Sequence, residues 1–349
     1  MNIIFNKIEE NFKKEIPFVV YRKPNLETVS GFFMKDDSLE FTSEFTETGF
    51  VFAPFNSDEK AVLFPLEKSE FIHENILIEE NVSLNDNTSD EVISDKEKHL
   101  HLVEKALDEI NKNELVKVVL SRKEEIQLDK FDVLLTFKKL LNSYANAFVY
   151  VWFHPKVGLW FGATPETLLN IKGNSFKTMS LAGTQVYVDS EEVVWQNKEL
   201  EEQQLVTDFI ESQLKPISTN LKVDKKETIR AGNLLHLRSK IEGKLNNNSN
   251  LKALIRGLHP TPAVCGLPRE KAEEFICQNE NYKRTFYSGF LGELNIKNNS
   301  SSLFVNLRCM SIEDKIASIY VGGGITKESS AKNEWEETIA KTKTIKKVL

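Results

Sequence analysis

The sequence predicts an α+β fold with antiparallel sheets, and three observations carry that prediction. Strand-length apolar runs recur along the chain. Helical segments interrupt them without the strict β-α-β alternation that a parallel sheet demands. One pair of runs, 303–310 and 316–321, faces itself across Ile312-Glu313-Asp314-Lys315, the pattern of a hairpin.

Near the N-terminus, Phe18–Tyr21 and Gly49–Phe52 alternate in part and predict strands. Residues 79–98, EENVSLNDNTSDEVISDKEK, are polar, acidic and poor in large apolar side chains, which predicts an exposed connection. Leu100, Val103, Leu107 and Ile110 then recur at helical spacing and predict a helix over 97–112. Lys117–Ser121 reads as a strand, and Phe148–Phe153 and Gly158–Gly162 as two more around the His154-Pro155 turn. Gln196–Lys215 reads as a helix with Leu205, Val206, Phe209, Ile210 and Leu214 on one stripe, and Ser329–Lys347 as the closing helix. The clusters Asn246–Asn250 and Asn298–Ser302 read as surface turns.

A chain of 349 residues allows two domains or one large sandwich. Its 45 basic and 52 acidic residues, net −7, argue against a protein that tracks nucleic-acid phosphates and against a polybasic membrane surface. No apolar run approaches the 18 or so residues of a spanning helix, and MNIIFNKIEENFKK carries acids where a signal peptide would be apolar. Cys265, Cys277 and Cys309 are odd in number and form no CxxC pair, so neither a disulfide framework nor a cysteine zinc site is expected. A reduced, soluble, cytoplasmic protein is the expectation.

Four local features carry chemistry. Lys117 opens an apolar strand and shares a face with Val119 and Ser121, opposite Val118 and Leu120. It is either a strand-end lysine that snorkels to water or a desolvated lysine with a lowered pKa that acts as a base. Gly162-Ala163-Thr164-Pro165-Glu166 places a carboxylate at a tight turn after an apolar strand, as a turn acid or as a positioned one. Glu202 falls on the apolar stripe of its helix, where a carboxylate is solvated or needs a partner such as a hard cation. Glu334, Glu337 and Lys341 share a face of the last helix, enough for a surface ion pair or for more. Just before that helix, Val321-Gly322-Gly323-Gly324-Ile325 follows a strand and offers backbone N–H groups to an anion. It is not GxGxxG, and no βαβ unit surrounds it. His236 and His259 stand alone in apolar settings, with no HxxxH spacing.

These features are joined, in order, by KVVLSR (117–122), FGATPETL (161–168), SLAGT (180–184), EEQQLV (201–206), LLHL (234–237), HPTPAVCG (259–266), RTFYSG (284–289), NLRC (306–309), VGGGI (321–325) and NEWEETIAK (333–341). In that series the chain resembles the chorismate-utilising enzymes, the group of anthranilate synthase component I, aminodeoxychorismate synthase, salicylate synthase and isochorismate synthase. The resemblance covers roughly residues 97–349 and is loose over 1–90. Within the group it points to the isochorismate-forming members, which carry a lysine where Lys117 stands and where anthranilate synthases have glutamine. The PIKGT block that bears a lysine nucleophile in aminodeoxychorismate synthases is SLAGT here, with Ala182 at that position. The LLES-like segment linked to tryptophan feedback is not visible. Where relatives read HEHELV this chain reads EEQQLV, which keeps Glu202 but replaces its neighbours.

The resemblance implies a single domain over 1–349: a two-layer sandwich of large, mostly antiparallel sheets with helices outside. Residues 1–90 would be a variable part, 91–98 linker-like and 97–349 the catalytic core. It implies Mg²⁺ held by Glu202 and Glu337, with Glu334 supporting through water. Lys117 would be the base on water attacking C2 of chorismate, and Glu166 the acid for the departing 4-hydroxyl. Arg308, Lys341, Tyr287 and the amides of Gly322, Gly323 and Gly324 would hold the enolpyruvyl carboxylate, with His236 and Thr184 at the ring side. The small Ala263 favours release of isochorismate. Salicylate synthase, which would go on to eliminate pyruvate, is the alternative, followed by a catalytically silent chorismate-binding homologue. The substrate is the only partner expected, and the chain is expected to be a monomer, with a dimer as the alternative.

Overall fold

The computed structural model describes residues 2–76, 93–187, 193–231 and 234–349. Helix α1 (Ile3–Lys13) precedes the strands β1 (Phe18–Arg22), β2 (Thr28–Met34), β3 (Glu40–Thr42), β4 (Gly49–Ala53), β5 (Ala61–Pro65) and β6 (Ser69–Asn75). Next come α2 (Ile93–Asn111), β7 (Lys117–Gln127), α3 (Val133–Ser143), β8 (Phe148–His154), β9 (Gly158–Thr164), β10 (Thr167–Lys172) and β11 (Ser175–Val186). They are followed by α4 (Asn197–Leu214), β12 (Ser218–Val223), β13 (Glu227–Ala231), β14 (Leu234–Leu245), α5 (Leu251–Leu258), β15 (Gly266–Leu267) and α6 (Arg269–Asn279). The chain closes with β16 (Phe290–Ile296), β17 (Ser300–Val305), β18 (Cys309–Glu313), β19 (Ile316–Ile325) and α7 (Ala331–Lys346).

The strands form two antiparallel sheets, one in the order β15-β7-β19-β18-β9-β8-β1-β2-β6 and the other β12-β14-β11-β10-β17-β16-β4-β5-β3, with β13 also on β14. Strand β8 shows why they stack. All seven of its residues are buried, because alternate side chains serve different cores. Phe148, Tyr150 and Trp152 join Phe50, Phe52 and Phe64 of the opposite sheet in an aromatic core between the layers. Val149, Val151 and Phe153 pack outward with Ile4 and Ile8 of α1 and Phe137 and Leu140 of α3. On the other sheet's outer face, Val206 and Ile210 of α4 and Leu254 and Leu258 of α5 close a third core. Val118 and Leu120 of β7 pack beneath α2 and α6, so the alternation read for Lys117–Ser121 holds. Among the described residues no helix is long and apolar enough to cross a membrane.

Several boundaries differ from the expectation. The helix expected over 97–112 begins at Ile93, so residues 93–98 are helical rather than linker, and 79–92 lie outside the described residues. The amphipathic pattern of α2 was hidden by the charges of its first turns. The hairpin is tighter than expected: β18 and β19 meet across Asp314-Lys315, with Glu313 opposite Ile316. The preceding run, Leu303–Val305, belongs to β17 in the other sheet. The break falls at Arg308, whose φ of +48° takes the chain out of extended geometry. Strands from residues 18–75 enter both sheets, β1 pairing with β8 and β4 with β16.

Candidate active site

Two chain segments cross between the sheets side by side. Pro165-Glu166 links β9 to β10, and Asn306-Leu307-Arg308 links β17 to β18. The crossings are tied together: Ala163 N–H donates to the Arg308 carbonyl and Val305 N–H to the Glu166 carbonyl, each at 3.0 Å. One residue pair from different strands is thereby fixed at the mouth of one cleft. Glu166 is 4% exposed, and burial pushes its carboxyl up to about 8, against the opposing pull of Lys117. At neutral pH it is a neutral acid with a proton to give.

Lys117 at the start of β7 is fully buried, so the snorkelling reading fails. Its Nζ lies 2.9 Å from Glu202 Oε1 in an ion pair that lacks hydrogen-bond alignment. Beside it run Gly322, Gly323 and Gly324. The glycine run, expected to follow a strand, is itself part of β19, opposite Ser121, Leu120 and Val119 of β7. Pairing with β18 ends at Tyr320, which leaves the other edge of the glycine segment facing the cleft. What the glycines supply is room. A Cβ on Gly324 would sit 2.4 Å from Glu202 Oε1, and one on Gly323 would sit 3.1 Å from Glu334 Oε2 and 3.9 Å from Glu337 Oε1. The strand has no side chains where three carboxylates gather.

Each carboxylate has its own lysine. Glu334 pairs with Lys198 at 2.7 Å and Glu337 with Lys341 at 2.5 Å. Burial and then Glu337 raise Glu334 despite Lys198. Burial also works to raise Glu337, but Lys341 outweighs it, helped by Lys198 and Arg308, and holds Glu337 below the ordinary range. Lys341 also donates to the Gly322 carbonyl at 2.8 Å. Among the described residues no three His, Cys, Asp or Glu side chains form a ready metal cluster. The donor set still suits a hard cation that keeps most of its water, which needs only one or two carboxylates. Among the described residues Glu334 Oε2 is buried without a hydrogen bond of good geometry, and Glu202 and Glu337 both line the cleft.

The remaining candidates converge on the same cleft. Glu166, Thr184, Glu202, His236, Ala263, Tyr287, Arg308, Gly322, Gly323, Gly324, Glu337 and Lys341 all line it. Lys117 and Glu334 stand just behind, in contact through Glu202 and Gly323. His236 Nδ1–H donates to the Gly183 carbonyl at 3.0 Å, which leaves Nε2, buried and unpartnered, as an acceptor. Burial, then Arg308 and Lys341, push this ring down to about 3, so it stays neutral. Arg308 and Lys341 give the cleft two cations against an acidic net charge of −7.

A family model described as chorismate binding enzyme matches residues 56–349. The chain belongs to that family. It is similar to the isochorismate synthase EntC of Escherichia coli K12, 31% identical over 241 residues that cover 66% of this chain and 61% of that protein. It is also similar to the isochorismate synthase DhbC of Bacillus subtilis, 30% identical over 274 residues, 72% of this chain and 68% of that one. The match thus spans less than two thirds of the Escherichia coli relative's length. The structure of the menaquinone-specific isochorismate synthase MenF from Escherichia coli superposes with a TM-score of 0.81, covering 95% of this chain and 88% of that one at 20% identity, which speaks to fold alone. The α+β sandwich read from the sequence is the fold of this family.

Two residues of the site escaped the sequence reading. Lys198 lies one turn before Glu202 on α4, and that i,i+4 spacing was the available signal. Gln203 lies outside the stripe of Leu205, Val206, Phe209, Ile210 and Leu214 that the sequence predicts. The buried stripe is Gln203, Val206, Thr207, Ile210 and Leu214, and Glu202 lies at its edge. Gln203 Nε2 lies 3.0–3.1 Å from the Ser180, Thr207 and Ser239 hydroxyls, a neutral polar network that no hydrophobic pattern reveals.

Proposed function

We propose that the chain is an isochorismate synthase that interconverts chorismate and isochorismate. Water adds at C2, the ring double bond shifts and the 4-hydroxyl departs, so no atoms are lost overall. Lys117 takes the proton from the attacking water, and Glu166 gives its proton to the leaving oxygen. Each transfer contributes roughly 10²–10⁴-fold. Arg308 and Lys341 bind the carboxylate of the enolpyruvyl group, Tyr287 packs beside Gly322, and His236 Nε2 and the Thr184 hydroxyl accept or donate at the ring. Glu202 and Glu337 would hold Mg²⁺, supported by Glu334, and the ion would supply positive charge for the ring carboxylate. The whole chain acts as one catalytic unit, since strands from residues 18–75 complete both sheets.

The observation that carries this reading is the acid. Glu166 is a buried carboxyl that keeps its proton at neutral pH, on the same cleft as a buried lysine's partner and two cations. The amine-type chemistry of the family lacks its lysine, because Ala182 stands there. The relatives' names point the same way. Incubation with chorismate and Mg²⁺, followed by chromatography, should give isochorismate, and purified isochorismate should return chorismate. Stoichiometric pyruvate with salicylate from either substrate would overturn the assignment.

A further inference from the structure

Behind α7, away from the substrate cleft, a second cleft of 230 Å³ opens between α2 and the middle of β7. Its rim carries Lys98, Lys105 and Lys123, with Asp95 the one acid in the lining. Its floor is unusual for a structural groove. Arg122 is 8% exposed and His99 is 4% exposed. Arg122 Nε donates to the Thr338 hydroxyl at 2.9 Å and Nη1 to Glu124 at 3.0 Å, yet among the described residues Nη2 is buried without a partner. Both ring nitrogens of His99 are likewise buried and unpartnered among the described residues. Trp335 of α7 lies between them: its ring is 4.5 Å from the Arg122 guanidinium carbon and 5.7 Å from the His99 ring, and its own Nε1–H has no acceptor.

A buried guanidinium N–H left unbonded costs the desolvation of a charged donor, which native proteins rarely accept without a use. Burial, then Arg122, push His99 down to about 4, so at neutral pH it presents one N–H and one lone pair. The unmet groups are therefore mostly donors, gathered around one guanidinium, under a rim with three lysines. Lys98 reaches its only acid, Asp95, at 3.7 Å, and Lys123 pairs with Glu125 at the surface. Glu124 answers one edge of Arg122 and leaves the other.

We propose that this cleft binds a small oxyanion, phosphate or carboxylate, seated on Arg122 Nη2 and the His99 N–H beneath Lys98 and Lys105. Its floor is tied to α7 through Thr338 and Trp335, which flank Glu337 and Glu334. The site is independent of the substrate reading, because none of its residues lines the substrate cleft.

The full-length protein should bind inorganic phosphate and, in a separate titration, acetate, measured by calorimetry at constant ionic strength. Comparison of the two arms separates phosphate from carboxylate as the preferred source. Lys98→Gln/Lys105→Gln, both exposed rim positions, should weaken binding at least about tenfold, through the loss of two charge-assisted contacts. Lys341→Gln, in the substrate cleft, should leave it unchanged. Arg122→Gln should abolish it, and because that variant risks the fold, crystals of the native protein soaked in selenate give the second measurement. Anomalous density within hydrogen-bond distance of Arg122 Nη2 is expected. Binding lost in Lys341→Gln but kept in the rim variant, density only beside Arg308 and Lys341, or no binding at all would each overturn the proposal.

Discussion

The two ends of the substrate cleft use the same side chain for opposite purposes. At one end Glu166 is buried where the opposing side chain, Lys117, is already paired with Glu202, and burial wins: the carboxyl rises to about 8. At the other end Glu337 is crowded by Lys341, Lys198 and Arg308, and the cations win: the carboxyl falls below its ordinary range. Desolvation raises both, so the cation count decides which glutamate is an acid and which is a fixed anion. The difference follows from position in the fold. Glu166 sits on a bare crossing between sheets, whereas α4 and α7 bring a lysine one turn from each helix carboxylate at Glu202 and Glu337.

The largest effects should come from removing the proton carriers. Lys117→Ala and Glu166→Gln should each lower kcat by roughly 10²–10⁴-fold, with Glu166→Gln still binding chorismate, as equilibrium binding and steady-state rates will show. Turnover at near-native rates in either variant would defeat the proposed roles. In the native enzyme kcat should fall as pH rises through about 8, because the acid is lost there. The Glu166→Gln profile should lack that limb.

Glu166 also sets a stability prediction. Its folded pKa lies above the unfolded value of 4.5, so between pH 4.5 and 8 the unfolded chain releases a proton that the folded chain keeps. The native state then loses stability as pH rises across that window. Glu166→Gln removes the loss. Its advantage over the native protein should be small at pH 4.5 and grow to the order of 2–5 kcal/mol by pH 8, read from urea unfolding at the two pH values. An advantage independent of pH would mean that Glu166 is not held neutral by burial.

At the opposite end, Gly324→Ala should lower Mg²⁺ affinity at least about tenfold, since its methyl would meet Glu202 Oε1 at 2.4 Å. Gly173→Ala is the control for a glycine with open space around it, although its positive φ adds local strain. Calorimetric titration of Mg²⁺ into EDTA-treated, dialysed protein measures both. Equal affinities in native protein and Gly324→Ala would remove Glu202 from the ion's site.

How much of this contrast was readable from the sequence depends on distance along the chain. Strand-length apolar runs located β8 and β9, period-2 alternation located β7, and helical spacing located α4 but not all of its buried face. The ordered motifs picked out candidate residues that the fold gathers on or just behind one cleft. Neither could show that the Glu166 and Arg308 crossings are hydrogen-bonded to each other, since 142 residues separate them (308 − 166) and only sheet pairing joins them. The glycine run is a related case: no pattern says that the β7 ladder continues through it and holds it extended, so that its missing side chains leave room for the carboxylates. Gln203 and Arg122 stayed silent because a buried polar group betrays itself only through its partners, or the lack of them.

The smallest expected effect is the most discriminating test of the carboxylate end. Lys198→Gln takes away the ammonium that Glu334 holds at 2.7 Å and leaves Glu334 and Glu337 facing each other with Lys341 on one side only. The pair is largely buried, with side-chain exposures of 22% for Lys198 and 2% for Glu334, so its loss exceeds that of a surface ion pair. A destabilisation of about 1–2 kcal/mol at pH 8 in EDTA is expected, shrinking at pH 4, where Glu334, raised by burial, takes up a proton and no longer repels Glu337. If these carboxylates form a cation site, saturating Mg²⁺ should close most of the gap between variant and native protein, because a bound ion replaces the missing charge. Thermal unfolding of both proteins, with EDTA and with Mg²⁺, gives the four midpoints needed. A gap that is the same in both conditions would make Lys198 a structural partner of Glu334 alone and would leave the ion, if it binds, to Glu202 and Glu337.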